Sequence, residues 1–534
     1  MLTISKPGEN YDYVIVGSGF GGSVSALRLA EKGYKVLVIE KGRRYEPEDF
    51  PKTNWNLRKW LWLPSIRFFG IFKMTFLRHI GILSGIGVGG GSLVYANTLP
   101  RPAKEFFRSG SWAGLTDWEK ELEPYYRIAE EMLGATLNPK LYDSDLALKE
   151  LAARLKKDEF FRPTFAAVFF GEPEAAVPDP YFNGHGPERE GCSFCGSCMT
   201  GCRHNAKNTL DKNYLYLASR EGADILAEHR VEYIRPAGGK KDGSSGYEIG
   251  FRKTTSFLFS RIKKVNASGV VFAGGVLGTV RLLLNMKKRN LPLLGNQVGA
   301  GIRTNNESLI LIDSRDHSKD FSKGIAIGSI FPSDENSHLE PVRYGGGSGF
   351  WKLLGVPLTH GKSVFARIGK LAFHLIRHPL SWLHIYFTKD HARQSVILLF
   401  MQHLNSTLSF RRGMMNLKSS MESGPAPTAF MPESKALAEG VADIIKGKAF
   451  VLVTEAVTGI PTTAHILGGA VIGRDSSTGV IDADHRVFGY NNMLVCDGSA
   501  ISANPGVNPA LSITALAERA MSKIPERSEA GISG

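Results

Sequence analysis

The stretch Tyr11–Gly42, YDYVIVGSGFGGSVSALRLAEKGYKVLVIEKG, constrains the fold more than any other. Tyr13–Val16 reads as a short buried strand. It runs into Gly17-Ser18-Gly19-Phe20-Gly21-Gly22, which carries G-x-G-x-x-G at Gly17, Gly19 and Gly22. Val24, Leu27 and Ala30 then share one helical stripe that stops at Gly33, and a second apolar strand, Val36–Ile39, ends on Glu40. This is a βαβ unit with a dinucleotide fingerprint. Gly17 permits a tight turn, Gly19 lets the backbone approach a pyrophosphate, and Gly22 lets helix and strand pack closely. The helix N-terminus offers unpaired N–H groups and a positive dipole end to phosphates. Glu40 is placed to hydrogen-bond both ribose hydroxyls, and its charge disfavours the 2′-phosphate of NADP. The motif does not choose between NAD and FAD. Its N-terminal position in a long chain leans toward FAD.

A chain of 534 residues with 43% hydrophobic content supports a large core and about two or three domains. The formal net charge of +14 comes without a dense basic arm or nucleic-acid motif, which argues against nucleic acid and leaves an anionic membrane surface or a solvated basic surface. The first residues, MLTISKPGENYDY, lack the apolar core of a signal peptide, and no apolar run reaches the ~18–20 residues of a membrane span. Four of the five cysteines fall within residues 192–202, which is unlike a disulfide framework and points to a reducing, cytoplasmic compartment.

A second glycine-rich loop, Gly85–Asn97, contains Gly89, Gly91, Ser92 and Asn97 and suits another close approach of backbone to cofactor. The aromatic, basic residues 51–84 before it read as a segment packed over the cofactor, with a membrane contact as the alternative. Thr116–Glu119 reads as a capping box opening a helix whose core residues are Trp118, Leu122, Tyr125, Ala129 and Met132. Val265–Gly278 supplies a further strand, a Gly-Gly turn and a helix start. The strand near His229–Val231 offers Val231 to the adenine.

Cys192, Cys195, Cys198 and Cys202 are spaced C-x2-C-x2-C-x3-C, as in bacterial ferredoxins. They are candidate ligands for an Fe–S cluster, or for Zn with His204. Against this, the fourth cysteine of such a run serves a second cluster, and no second run exists, so a glycine-turned loop of buried thiols is the competing reading. Ser363–His378 is amphipathic and basic, with Val364, Ile368, Leu371, Leu375 and Ile376 on one stripe and Trp351, Trp382 and Phe387 flanking it. It reads as a lid, a membrane-surface helix or an ordinary surface helix. Near the C-terminus His465 precedes Gly468-Gly469. A short strand then leads into Asp497-Gly498, where Asp497 could bind ribityl or ribose hydroxyls, and Asn508-Pro509 opens a helix whose N-terminus is a second anion site.

Together VGSGFGGS, GVGGGSLVYAN, GCRHNAKNTL, HILGGAVIG and DGSAISANPGVNPALSITALAER make the chain resemble the glucose–methanol–choline (GMC) family of FAD-dependent oxidoreductases, most closely its bacterial, mycobacterial-type cholesterol-oxidase branch. The resemblance runs from about Tyr11 to Ala520. It implies an α/β fold (α+β overall): a doubly wound FAD domain from residues 10–100, 203–305 and 485–525, and a substrate domain with a mainly antiparallel sheet from 101–202 and 306–484, with a lid or membrane-facing segment near 350–392. It implies non-covalent FAD, His465 at the flavin N5 face and Asn508 as its polar partner. The implied reaction oxidises a sterol-like secondary alcohol to a ketone, with O2 reduced to H2O2. Tyr95 stands where the branch has an asparagine, and Asn97 is the candidate substitute. The branch's isomerase glutamate has no match around Arg393–Leu399, which leaves Glu340 and Glu455 as candidates. The cysteine loop is also similar to long-chain alcohol oxidases. A fatty-alcohol oxidase, a dehydrogenase exporting electrons through a cluster, and a lipid-binding flavoprotein without turnover are the alternatives.

Overall fold

The computed structural model describes residues 6–256, 260–358, 363–403, 406–413 and 417–527; the side chains of Ser381, Trp382 and His384 lie outside the described set, as do residues 359–362 of the expected lid. The strand Asn10–Val16 runs parallel to Val36–Ile39 on one side and to Lys263–Phe272 on the other. Asp224–Leu226 and Met493–Val495 extend this parallel set outward. Tyr247–Lys253 and His229–Pro236 complete a seven-stranded sheet as an antiparallel meander. Lys263–Phe272 joins both patterns: its first half pairs antiparallel to Tyr247–Phe251 and its second half parallel to Met493–Val495. Helices Phe20–Glu31, Trp118–Met132 and Ala510–Ser522 pack together over this sheet.

The helix Trp118–Met132, which falls within the segment 101–202 expected in the substrate domain, therefore joins the nucleotide-side core. Asp117 caps it by accepting from the Lys120 amide at 3.2 Å. Its buried face is Trp118, Leu122, Tyr126 and Ala129. The expected Tyr125 lies half out, with its hydroxyl on Ser522.

A second seven-stranded sheet is antiparallel throughout, as expected for the substrate side. Its centre is Ser308–Ser314 paired with Ser395–Gln402 and Gly447–Leu452. Strand alternation divides its faces. Ile310, Ile312, Val396, Leu398 and Phe400 pack into a core beneath helices Asp143–Arg154 and Pro432–Ile444. Leu309, Leu311, Ile397 and Leu399 point the other way, into a cavity. Among the described residues, no helix is long and apolar enough to cross a membrane.

The end of the parallel sheet is held by contacts that exclude side chains. Gly17 has φ +102°, and a Cβ there would meet the Ala273 carbonyl oxygen at 2.4 Å. A Cβ on Gly22 would meet the Gly17 oxygen at 2.1 Å, which is the close helix–strand packing its motif position implies. The tightest approach is one the motif does not name: a Cβ on Gly21 would sit 1.2 Å from the Cys496 carbonyl oxygen. By contrast a Cβ on Gly19 has nothing within 4 Å. Gly21→Ala should therefore cost at least about 3 kcal/mol of stability in denaturant unfolding, because backbone rather than a side-chain tip must move. Gly19→Ala should leave the stability of the cofactor-free protein within about 1 kcal/mol. Equal losses would contradict this packing.

Candidate active site

One cavity of about 370 Å³ lies between the two sheets. Gly17, Gly19, Gly90 and Gly91 line one end, with Glu40 beside them. The loops that carry them touch, since a Cβ on Gly90 would lie 2.7 Å from the Gly19 Cα. Two helices, Phe20–Glu31 and Ala510–Ser522, begin at this wall, and neither has a side-chain cap. Their first amides are free for anionic groups. Cradle, acid and helix ends fit a dinucleotide.

The structure brings many of the expected residues to this cavity. Gly17, Gly19, Glu40, Gly91, Asp497, Gly498, His465 and Asn508 all line it. The Glu40 carboxylate accepts from the amides of Ser18 (3.1 Å) and Gly42 (2.8 Å), which fixes it at the strand end. Asp497 accepts from Thr279 and Ser499, and burial pushes its carboxyl up.

Other expected residues act from behind the wall. The Gly89 amide donates to the Ser18 hydroxyl at 3.1 Å and ties the two glycine loops together. The Ser92 hydroxyl donates to the Gly89 carbonyl at 2.7 Å and accepts from the Leu210 amide. Val231 does not line the cavity; it pairs with Phe251 within its strand. Asn97 does not line it either. It is fully buried at φ +63°, and Tyr95 takes the place at the wall, its hydroxyl donating to the Asn208 carbonyl at 3.0 Å.

The catalytic candidates sit in a field of carboxylates. His465 Nδ1 is 2.9 Å from Glu307 Oε1. Burial favours the neutral imidazole, but the Glu307 charge and hydrogen bond outweigh it and hold the His465 pKa above its ordinary value. Burial likewise acts to raise Glu307, and His465 keeps it below the usual carboxylate range. The Asn508 amide Nδ2 donates to Glu340 Oε2 at 3.3 Å, while its Oδ1 is buried without a partner. Glu340 is fully buried, with His338 Nε2 at 3.6 Å from its other oxygen. Glu455 lies behind Glu307, accepts from the Thr462 amide at 3.0 Å, and is pushed up to about 8 by burial. Sequence reading missed Glu307. Its only signal was an acidic residue immediately before the largely apolar strand Ser308–Ser314, SLILIDS.

The cysteine run holds no metal site. Among the described residues no three His, Cys, Asp or Glu side chains converge on a point that could bind an ion. Cys192, Cys198 and Cys202 pack with Phe170, Phe194 and Ile325, and burial pushes the Cys192 and Cys198 thiols up. The candidate cluster finds no support, and the competing reading of a glycine-turned loop fits: Gly196 and Gly201 both have positive φ, and spacing alone fixes only chain proximity. What anchors the loop is Lys207, whose ammonium donates to the carbonyls of Leu93 (3.2 Å), Tyr95 (2.8 Å) and Cys198 (2.9 Å).

Residues 11–296 and 416–517 match the N- and C-terminal models of the GMC oxidoreductase family. The chain is 42% identical to a cholesterol oxidase of Acinetobacter baumannii, over 97% of this chain and 95% of that one. It is 43% identical to a cholesterol oxidase of Mycobacterium tuberculosis, over 97% and 92%. The crystal structure of pyridoxine 4-oxidase from Mesorbium loti shares the fold, with a TM-score of 0.60 at 16% identity over 96% of this chain and 98% of that one.

Glu455 gives the site a pH-dependent stability. Its folded pKa of about 8 lies above the ordinary glutamate value of 4.5, so the folded state binds the extra proton. The stability this contributes is complete below about 4.5 and is lost as pH rises through about 8. Glu455→Gln keeps an acceptor for Thr462 without the charge. It should match the wild type in thermal unfolding near pH 4.5 and melt higher above pH 8. A gap that does not change with pH would contradict the buried acid.

Proposed function

The chain belongs to the GMC oxidoreductase family and is an FAD-dependent alcohol oxidoreductase, and from that premise we propose that it oxidises the secondary hydroxyl of a sterol-like lipid alcohol to a ketone, with O2 as the final acceptor. The observation that carries this reading is the cavity of about 370 Å³ between the two sheets. It runs from the glycine loops past His465 and Asn508 into an apolar sleeve of Leu309, Leu311, Ile327, Ile397 and Leu399. A rigid, apolar alcohol with one polar end suits that shape. The glycine loops, Glu40 and the helix beginning at Ala510 are the residues that would hold FAD. When bound, FAD supplies the two-electron acceptor that takes the hydride and returns the electrons to O2 as H2O2.

The chain's own groups handle the proton and the orientation. His465 accepts the hydroxyl proton as the carbon–hydrogen bond breaks. Asn508 does not titrate. With one N–H given to Glu340, its Oδ1 and second N–H remain to fix the substrate oxygen.

The helix Val364–Arg377 supports delivery of substrate from a lipid surface. It is turned inside out: Arg367 faces inward and donates to the Val457 carbonyl at 3.2 Å, while Phe365 and Ile376 are 87% and 80% exposed. Phe373, Leu380 and Phe387 continue the exposed apolar face, with Lys370 and Arg377 among them. The helix packs against Gly355–Pro357 and Val453–Thr458, next to cavity-lining Gly355 and Leu452. Aromatic and aliphatic side chains among cations suit the interface of an anionic bilayer.

The test is an anaerobic absorbance titration of the FAD-loaded protein with cholesterol, in detergent and in anionic vesicles, followed by air. The expected result is bleaching of the flavin and recovery with peroxide. Phe365→Ser/Ile376→Ser should slow bleaching from vesicles several-fold and leave the detergent rate unchanged. Bleaching without recovery in air would make the protein a dehydrogenase. Bleaching by a long-chain alcohol but not by cholesterol would replace the sterol.

A further inference from the structure

We propose that Glu307 is the positioning residue for His465: it fixes the imidazole with Nδ1–H toward the carboxylate and the bare Nε2 toward the cavity, and it holds the imidazolium formed in turnover as an ion pair. This rests on the alcohol-oxidoreductase reading of the same site.

The geometry leaves little choice of tautomer. Glu307 is 2% exposed and lines the cavity floor beneath His465. A carboxylate only accepts, so the proton in the 2.9 Å contact belongs to Nδ1 of His465. Nε2 is then the free lone pair on the ring, at a residue that lines the cavity. The carboxylate is itself held in place. The Thr463 hydroxyl donates to Oε1, the Ala464 amide donates to Oε2 at 3.0 Å, and the His465 amide donates to the Thr463 oxygen at 2.9 Å. Residues 463–465 therefore wrap around one carboxylate, and the ring follows from where that carboxylate sits.

The surrounding charges leave Glu307 as the partner that governs the ring. Glu340, two strands away across the sheet, also raises His465, by less, and spends one oxygen on Asn508. His338 faces Glu340 rather than His465. Glu455, behind Glu307, keeps its proton to about 8 and so adds no second negative charge near neutrality. The Tyr95 and Tyr344 phenols that line the cavity are pushed up by burial and stay neutral.

The step balances. The substrate O–H bond breaks and an N–H bond forms at Nε2. The carbon–hydrogen electron pair leaves as hydride to the family's FAD, and the C=O bond forms. Glu307 neither gains nor loses a proton. It turns a neutral imidazole beside an anion into an imidazolium–carboxylate pair inside a low-dielectric wall, where that pairing is worth most.

The test compares wild type, Glu307→Gln and Glu307→Asp as FAD-loaded proteins. It reads bound-flavin absorbance, thermal unfolding and the anaerobic rate of flavin reduction by sterol across about pH 5 to 9. Glu307→Gln should lower the limiting rate by about 10²-fold or more, with little change in half-saturating sterol. The limb on which the rate falls as His465 protonates should move to lower pH, because the anion that raises His465 is gone. Glu307→Asp keeps the charge and should restore most of the rate and the wild-type limb. A limb that stays in place in Glu307→Gln, or an Asp variant no better than Gln, would overturn the assignment. If Glu307→Gln does not fold, Thr463→Val serves. With one donor removed from Oε1 the carboxylate binds the Nδ1 proton more tightly, so the limb should move to higher pH, and an unmoved limb counts against the proposal. Failure of sterol to reduce wild-type flavin would instead sink the underlying reading.

Discussion

The structure depends on backbone meeting backbone at the ends of the parallel strands. Gly17 lies against Ala273, Gly22 against Gly17, Gly21 against the Cys496 carbonyl and Gly90 against Gly19. Each contact is closer than a side chain allows, and together they bring chain segments far apart in sequence to one wall. That wall carries two helix N-termini without side-chain caps. The electrostatic cost of leaving those amides open is recovered when an anionic cofactor meets them. The same packing that makes the sheet compact therefore also makes the site incomplete without its ligand.

The second sheet turns a simple periodicity into a division of labour. Odd and even residues of Ser308–Ser314 and Ser395–Gln402 face opposite ways, one set building a core under two helices and the other building the apolar sleeve. The polar end of the sleeve is a small network of buried groups, in which Glu307 holds His465 and Glu340 holds Asn508. Buried carboxylates are expensive, and each of these is matched to a donor on the residue it orients. Asn508 Oδ1 is buried without a partner, as is Glu340 Oε1, and Asn508 lines the cavity where a substrate oxygen is expected.

Much of this was legible in the sequence wherever a local pattern has one structural outcome. The βαβ unit from Tyr11 to Gly42 and the helix start at Pro509 are such cases. His465 and Asn508 could be picked out only through resemblance, and the fold then brought them to one cavity. What stayed hidden depends on tertiary placement. Glu307 lies 158 residues from His465, and nothing local links them. Gly21 looked like a filler between motif glycines, yet it makes the closest contact of all. The cysteine run stayed open between a ligand set and a loop of buried thiols, because spacing fixes chain proximity but not where the sulfurs point. The amphipathic stripe of residues 364–376 was visible, but not that its cationic Arg367 would face inward and its aromatic residues outward.

The central claim is that one cavity holds the cofactor and a sterol-like alcohol with His465 and Asn508 between them. A crystal structure of the FAD-loaded protein with bound sterol, kept anaerobic, tests it most directly. The account predicts the sterol hydroxyl within about 3 Å of His465 Nε2 and in contact with the Asn508 amide, with the ring system along Leu309, Leu311, Ile397 and Leu399. A sterol seated elsewhere, or His465 turned so that Nε2 rather than Nδ1 meets Glu307, would contradict it.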